Sequence, residues 1–305
     1  MMNNTHPRVS IGMPVYNGAE YIREAIDSIL AQTFTNFELI ISDNASTDDT
    51  EEICRSYVAK DPRISYYRNE QNMGATWNMS RVVELARGEY FKWAHHDDTC
   101  APTFLERCVE VLDREPSVIL CYPRTHIIDE HSRIFENYAD ELNLRSPKSY
   151  ERFREFLKRP GLSNAAHGLF RLSELRQTAL IADVAYSDRN LLGETALRGE
   201  IYEWPEYLFL KRSHPNTSTR LYTDDYKLMA FHNPQKRNKI IFPKWTRFIA
   251  YFQAMNRAHL NFYERLRCTI YLAQYLVVPK RVFGLLDELL VAAKLTPSAL
   301  SRNNK

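Results

Sequence analysis

Apolar and polar positions alternate with two different periods along the first hundred residues. Val9-Ser10-Ile11-Gly12-Met13 is an apolar run of strand length that stops at a turn marked by Pro14 and Gly18. Beyond it, Tyr21, Ile22, Ala25, Ile26, Ile29 and Leu30 recur every three or four residues, the spacing of one helical face. The two periods then repeat. Phe37-Glu38-Leu39-Ile40-Ile41 predicts a second strand, and the polar stretch Ser42 to Thr50 predicts the start of a helix through Ile53, Tyr57 and Val58. Acids at 48, 49, 51 and 52 suit the positive end of that helix. A third strand near Ile64 to Tyr67, a helix from about Thr76 to Ala86 and a fourth strand from Tyr90 to Ala94 follow. Four such β-α units predict a mostly parallel sheet with helices on both faces.

The fourth strand ends in His95-His96-Asp97-Asp98. Open α/β sheets bind ligands at the carboxyl ends of their strands, so these side chains are predicted at a binding edge. Two adjacent acids repel unless a cation or solvent relieves them, which makes this the first place to look for a metal. Taken alone, a solvated turn capping a helix from Thr103 to Leu112 would account for the same residues.

Composition narrows the picture. With 305 residues, 44% apolar and 26% charged, the chain can bury a full core and is no disordered polymer. The cysteines at 54, 100, 108, 121 and 268 form no Cys-x-x-Cys pair, so reduced thiols in a cytosolic protein are expected, with neither zinc ribbon nor disulfide framework. The N-terminus lacks a basic start with an apolar core, and no apolar run approaches ~18 residues, so a location on the cytoplasmic side is expected. The net charge of +2 conceals an asymmetry: residues 227–305 hold 14 Lys+Arg against 3 Asp+Glu, a net of +11, which leaves −9 for residues 1–226. A dinucleotide fold would need Gly-x-Gly-x-x-Gly after the first strand, whereas Gly12 and Gly18 stand six apart around Pro14. No Gly-x-x-x-x-Gly-Lys-Ser/Thr phosphate loop occurs either.

Several segments in order carry a family resemblance. Val9 to Asn17, Gln32 to Asp48, Asn72-Met73-Gly74, Gly88-Glu89-Tyr90 and His96-Asp97-Asp98 resemble the successive motifs of family-2 glycosyltransferases of the GT-A fold, over roughly residues 8–220. The resemblance implies a Rossmann-like sheet with flanking helices and an inverting transfer from a nucleotide-diphosphate sugar, UDP-sugars being favoured. It also implies a divalent cation, Mn²⁺ or Mg²⁺. Residues 1–225 would form the transferase domain, with 1–98 as the nucleotide-sugar half and 99–225 as the acceptor half, and residues 226–305 a basic, aromatic helical extension. The acceptor would be a glycan or lipid-linked glycan of cell-surface polysaccharide or glycolipid synthesis.

Position by position, the resemblance assigns Asp43 to the ring N–H of the base, with Pro14, Tyr16 and Asn17 packed around it. Asn72 and Gly74 fall in the donor motif. An ungapped match places the family's Asp-x-Asp on His95-His96-Asp97, so Asp97 becomes the metal ligand, His95 and His96 become donor contacts, and Asp98 supports them. His95 departs from the family's first acid, which shifts the expected metal from Mg²⁺ towards Mn²⁺. In the second half, His167 and Gly168 resemble the segment laid across the sheet's open edge. Asp188, in Tyr186-Ser187-Asp188-Arg189, is the candidate general base and also suits a helix cap, with Glu194 as its substitute. Lys211 and Arg212 are candidates for stabilising the leaving group, and His214 for contacting the metal or diphosphate unless it is a structural histidine.

From Tyr226 onward the pattern is helical, basic and aromatic. These helices are expected to pack against the main domain, with attachment to the inner face of the membrane or pairing with a second subunit as alternatives. Nucleic-acid binding would rest on basic charge alone, without a reader motif. Two other functions stay in view: a sugar-nucleotide-binding module impaired in catalysis, and a sugar-nucleotide pyrophosphorylase, which would need a glycine-rich loop that Met13 to Gly18 lacks.

Overall fold

A computed structural model describes residues 6–159, 161–182, 187–221, 228, 231–233, 242–278 and 281–290. Strands β1 (Val9–Val15), β2 (Phe37–Asp43), β3 (Ile64–Arg68) and β4 (Tyr90–Trp93) pair in parallel in the order β3-β2-β1-β4, as the periodicity predicts. Helices α1 (Ile22–Leu30), α2 (Thr50–Val58) and α3 (Ala75–Leu85) connect them. The inner strands β1, β2 and β4 are buried on both faces, whereas the edge strand β3 is buried only at its start. Leu39 and Ile41 enter one core layer with Ile11, Met13 and Ile26, while Ile40 enters the opposite layer with Val82, Phe91 and Trp93.

Beyond β4 the alternation ends. The chain continues through β5 (Thr99–Cys100), α4 (Phe104–Arg114), β6 (Val118–Ile128), β7 (Ile134–Tyr138), α5 (Ser149–Lys158) and a 3₁₀ turn at Asn164–His167. Next come β8 (Leu169–Arg171), the short α6 (Leu172–Leu175), α7 (Ser187–Arg198) and β9 (Glu200–Arg212). The sheet extends in the order β4-β8-β6-β9-β5, with β7 paired to β6. Strand β8 runs antiparallel to both β4 and β6, β9 runs parallel to β6, and β5 runs antiparallel to β9. The sheet is therefore mixed rather than mostly parallel. The departure arises because strands joined by hairpins or lying beside a three-residue insert need no helical crossover.

A four-residue helix α8 (Ser218–Leu221) follows β9, and then α9 (Pro243–Arg257), α10 (Phe262–Leu276) and a helix over 281–290. Tyr251, Ala254 and Met255 of α9, with Cys268 and Leu272 of α10, are buried in the layer that also contains Phe153, Phe156 and Leu192. One face of the C-terminal helices thus packs on α5 and α7, as expected. Helix α10 begins with a capping box between Asn261 and Glu264.

Tyr251 is 1% exposed, touches the rings of Phe153 and Phe156, and its hydroxyl has no hydrogen-bond partner among the described residues. Tyr251→Phe should leave stability unchanged or raised, since it deletes an unsatisfied buried oxygen. Tyr251→Ala should cost about 3–5 kcal/mol by leaving a cavity between α7 and α9. Guanidinium denaturation of both variants checks the pair.

Candidate active site

Strands β1, β2 and β4 end at one cleft of about 570 Å³, the size of a typical small-ligand site. Pro14, Tyr16 and Asn17 line it from the end of β1, Asn44 from β2, and Asn72, Ala75 and Asn78 from the approach to α3 and its first turn. His95, His96 and Asp97 enter after β4, and His214, Asn216 and Thr217 after β9. His232 closes the far side.

Side chains stitch the loops into this wall. Asn17 sits in the left-handed region at φ 50, a conformation asparagine tolerates, and its Oδ1 accepts from the Thr47 amide at 2.8 Å. The Asn17 amide donates to Ser46 Oγ at 2.9 Å. Asn44 fixes the Asn72-Met73-Gly74 turn: its Oδ1 accepts from the Met73 amide at 2.9 Å, and its Nδ2 donates to Asn72 Oδ1 at 2.9 Å and to the Gly74 carbonyl at 3.2 Å. Gly74 stands at φ 91, where a side chain would be strained. Asp43 lies beneath the wall rather than on it. Its carboxylate is fully buried and accepts from the Ser46 amide, the Tyr66 hydroxyl and Arg68 Nη1 at 2.8, 2.5 and 2.8 Å.

At the cleft floor, ligand atoms of His95, Asp97 and Asp98 lie within 4.8 Å of one another. His214 Nε2 is 3.1 Å from Asp97 Oδ2, so two residues 117 apart in sequence meet. Burial works against the Asp97 anion, but the hydrogen bond from His214 and the charges of His96 and His95 outweigh it and hold Asp97 well below the usual carboxylate range. Asp98 behaves oppositely: burial, then the Asp97 charge, push it up to about 7. Burial lowers His95 to about 4, and lowers His167 as well, so both imidazoles are neutral near pH 7. The two rings meet edge to face at 4.6 Å, and His95 Nε2 is buried with no hydrogen-bond partner among the described residues. That orphaned nitrogen beside two carboxylates is a donor set that fits a borderline divalent cation such as Mn²⁺. His96 is held over Gly18, where an added Cβ would come within 2.7 Å of the ring.

The remaining candidates fall into different roles. Gly168 is required by close packing, since a Cβ there would lie 2.6 Å from Tyr122 and 2.7 Å from the Cys121 carbonyl. His167 packs behind His95 and does not line the cleft. Arg212 corrects the expectation of a leaving-group contact. Its side chain is 1% exposed, and its donors go to the Asp97 carbonyl, the Asp129 carbonyl, Ser132 Oγ and Glu24 Oε2 at 2.9, 3.1, 2.9 and 2.6 Å. Lys211 is likewise turned inward, with Nζ donating to Asn164 Oδ1 at 2.8 Å. Asp188 is in the first turn of α7 and accepts from the Arg189 amide at 2.8 Å. Burial raises its pKa, against the charges of Lys211 and His232. Glu194, proposed as the substitute base, instead forms an ion pair with Arg257 of α9 through both oxygens, at 2.8 and 2.7 Å, and anchors that helix. Sequence reasoning missed Asn44, whose place just past the end of β2 would have marked it, and Asn78, which lies in the first turn of α3 and donates to the Ser42 carbonyl at 2.7 Å.

Residues 10–174, more than half of the chain, match the family model described as Glycosyl transferase family 2. An uncharacterised glycosyltransferase of Rickettsia typhi is 41% identical over 134 residues, covering 43% of this chain and 41% of that relative's length. A chondroitin synthase of Escherichia coli is 33% identical over 131 residues, covering 43% of this chain and 19% of the relative. The matched segment thus spans less than half of these relatives. Among solved structures, residues 1–349 of S. aureus TarS in complex with UDP-GlcNAc superpose with a TM-score of 0.57 at 18% identity, over 91% of this chain and 83% of that one. The mannosyltransferase PcManGT from Pyrobaculum calidifontis, in complex with GDP-Man and Mn²⁺, gives 0.51 at 16% identity, over 95% and 87%. The mixed α/β sheet with flanking helices is the GT-A architecture of these neighbours.

The two floor acids carry opposite pH signatures. Asp98's folded pKa is raised from an unfolded value near 4, so its stabilising contribution is full below about pH 4 and is lost as pH rises through about 7. Asp97's folded pKa is depressed, so its contribution is present above about pH 4 and is lost only in acid. Buried neutral His95 and His167 contribute a slope of the opposite sign, so the Asp98 signature is a difference: in excess chelator, the Tm of Asp98→Asn relative to the wild type should rise from about pH 5 to about pH 8. Differential scanning calorimetry across the range decides it; an unchanged slope in the variant would show that Asp98 is ordinarily ionised.

Proposed function

The chain belongs to glycosyl transferase family 2, and we propose that it moves a sugar from a nucleotide-diphosphate sugar to an acceptor hydroxyl with inversion at the anomeric carbon. The observation that carries this reading is the meeting of Asp97 with His214 at 3.1 Å, beside His95, in the cleft where β1, β2 and β4 end.

The donor's base lies against the end of β1, where Tyr16 is 43% exposed on the cleft wall and offers a flat stacking face. Asp43 acts from below by holding Ser46, Tyr66 and Arg68, and so shapes the base pocket. A UDP-sugar is the favoured donor. His95 and Asp97, with Asp98 behind them, would hold a divalent cation, Mn²⁺ before Mg²⁺, which would supply positive charge to offset that of the diphosphate. His214 keeps the Asp97 carboxylate ionised and aimed at the cleft. Arg212 holds the loop that bears these ligands rather than touching the donor.

Asp188 is the general base. It is close enough to His232, on the cleft wall, for that imidazole's charge to bear on it, and burial raises its proton affinity. In the transfer, the acceptor oxygen forms a bond to the anomeric carbon from the face opposite the nucleotide. The bond from that carbon to the diphosphate oxygen breaks, and the hydroxyl proton passes to Asp188. The acceptor is a glycan or lipid-linked glycan of the cell surface, and the reaction takes place on the cytoplasmic side.

The assignments separate experimentally. A UDP-sugar with Mn²⁺ at ~100-fold over Kd should stabilise the protein by about 2.7 kcal/mol, and a thermal-shift comparison with GDP- and dTDP-sugars identifies the nucleotide. Asp97→Ala should lose the Mn²⁺-dependent part of that stabilisation. Asp188→Asn should keep it while losing ~10²–10⁴ in transfer rate. A rate unaffected by Asp188→Asn would assign the base elsewhere.

A further inference from the structure

The faces of the C-terminal helices that point away from α5 and α7 carry a second pattern. At about 100° per residue, Phe262, Tyr263, Leu266, Ile270 and Val277 fall within roughly 100° of arc along α10. They stand opposite Cys268 and Leu272, which are buried in the core. All five stripe residues are exposed, Phe262 by 84% and Val277 by 72%. Arg265 and Arg267 flank the stripe on either side.

The helix over 281–290 repeats the arrangement. Gly284, Leu285 and Glu288 meet Lys244 and Trp245 of α9. Val282, Phe283, Leu286, Leu289 and Leu290 lie on the other side and are exposed, Phe283 by 70%. Two consecutive helices therefore each spend one face on the protein and leave an apolar one to the outside. Scattered exposed apolar residues need no explanation, but a stripe at helical spacing, repeated on the next helix, does.

We propose that this surface seats the protein on an anionic lipid bilayer, with α10 and the helix over 281–290 lying in the plane of the interface. Charge selects this occupant. By sequence residues 227–305 carry a net charge of +11 against −9 for the rest of the chain; on the two helices themselves Arg265, Arg267 and Arg281 stand beside Glu264, Asp287 and Glu288, so the excess comes from the other residues of the segment. A second copy docked symmetrically would bring two such basic segments together. A contact between the basic segment and the acidic part of another copy is the alternative that light scattering separates below. Nucleic acid answers the charge but leaves the aliphatic stripe in water. A bilayer with anionic headgroups satisfies both, taking the apolar side chains into the acyl boundary and the arginines at the headgroups. No helix among the described residues is long and apolar enough to cross a membrane, so contact at the surface is the geometry this pattern supports.

The test uses the full chain in vesicle flotation, with phosphatidylcholine alone and phosphatidylcholine mixed with phosphatidylglycerol. The wild type should float with the mixed vesicles, at least about tenfold more than with the neutral ones, and less at roughly 0.5 M salt where charge is screened to a few ångströms. Leu266→Glu combined with Ile270→Glu should reduce flotation by about tenfold while leaving circular dichroism and Tm unchanged, because both positions face outward. Phe262→Ser with Phe283→Ser is a milder second variant that should weaken binding in the same direction. Equal flotation of wild type and both variants, or no flotation on mixed vesicles, overturns the proposal. A concentration-dependent dimer in light scattering that the Glu variant abolishes would overturn it in favour of a second copy. Donor-induced thermal shifts in the same variants report on the cleft separately, so a failure here leaves the transferase reading standing.

Discussion

One buried guanidinium holds the cleft together. The Arg212 amide donates to Asp98 Oδ1, and its side chain reaches the Asp97 carbonyl, the β6–β7 turn at Asp129 and Ser132, and Glu24 of α1. Its plane also lies over the Tyr21 ring at 4.7 Å. Three parts of the chain that are remote in sequence are tied to the last residue of β9. A guanidinium suits this task because its donors are fixed in one plane, so each bond made orients the others. Removing one partner of such a set leaves a buried charge uncompensated, which costs far more than the set contributes over an apolar replacement. The interaction's value is therefore geometric: it sets where Asp97 and Asp98 stand.

That placement creates an electrostatic problem which the surrounding residues divide between them. Two adjacent carboxylates are buried at one point, and they do not share the load evenly. Asp97 has the hydrogen bond from His214 and stays ionised, whereas Asp98 has a backbone amide and stands deep enough that its proton affinity rises. Neutral His95 and His167, stacked edge to face, line the same floor without adding charge. The cleft so built has one strong anion, a reserve acid and an unpartnered ring nitrogen, an arrangement that a divalent cation would complete.

The half of the sheet made of β1 to β4 was legible because each strand is a short apolar run between turn residues and each helix shows its 3.6-residue period. Strands β6 and β9 were not. Pro123 and Pro205 interrupt them, and the β6–β9 ladder slips register beside Pro123, where Trp204 and Tyr207 pair with consecutive residues. A proline inside a strand is read as a break unless the slip that accommodates it is known. The site divides along the same line. Asp97, His95 and the β1 loop follow directly from where β4 and β1 end, and His214 was found by motif order. Arg212 was misread as a contact for the leaving group because nothing local reveals that Glu24, nearly two hundred residues away, would claim it. The ion pair of Glu194, named only as a substitute base, was hidden for the same reason, its partner Arg257 lying in a helix whose docking no single-sequence pattern specifies.

The histidine at 95, where the family resemblance places an acid, follows from the same accounting of charge. Asp98 is already driven towards protonation by burial and by Asp97, so a carboxylate at 95 would put a third anion within 4.8 Å of both. Each added like charge in a desolvated site raises the others' proton affinity further, and a protonated acid is no metal ligand. A neutral imidazole avoids that penalty and still presents a lone pair, at the expense of the hard oxygen that Mg²⁺ prefers. The site then becomes dependent on what keeps His95 neutral. Burial against His167 and the 92–95 segment supplies this, with Lys92 tied to the His167 carbonyl at 2.7 Å and its charge adding to the pressure against a protonated ring. The substitution of nitrogen for oxygen at the cleft floor and the burial of two histidines behind it are thus one feature, and neither would serve without the other.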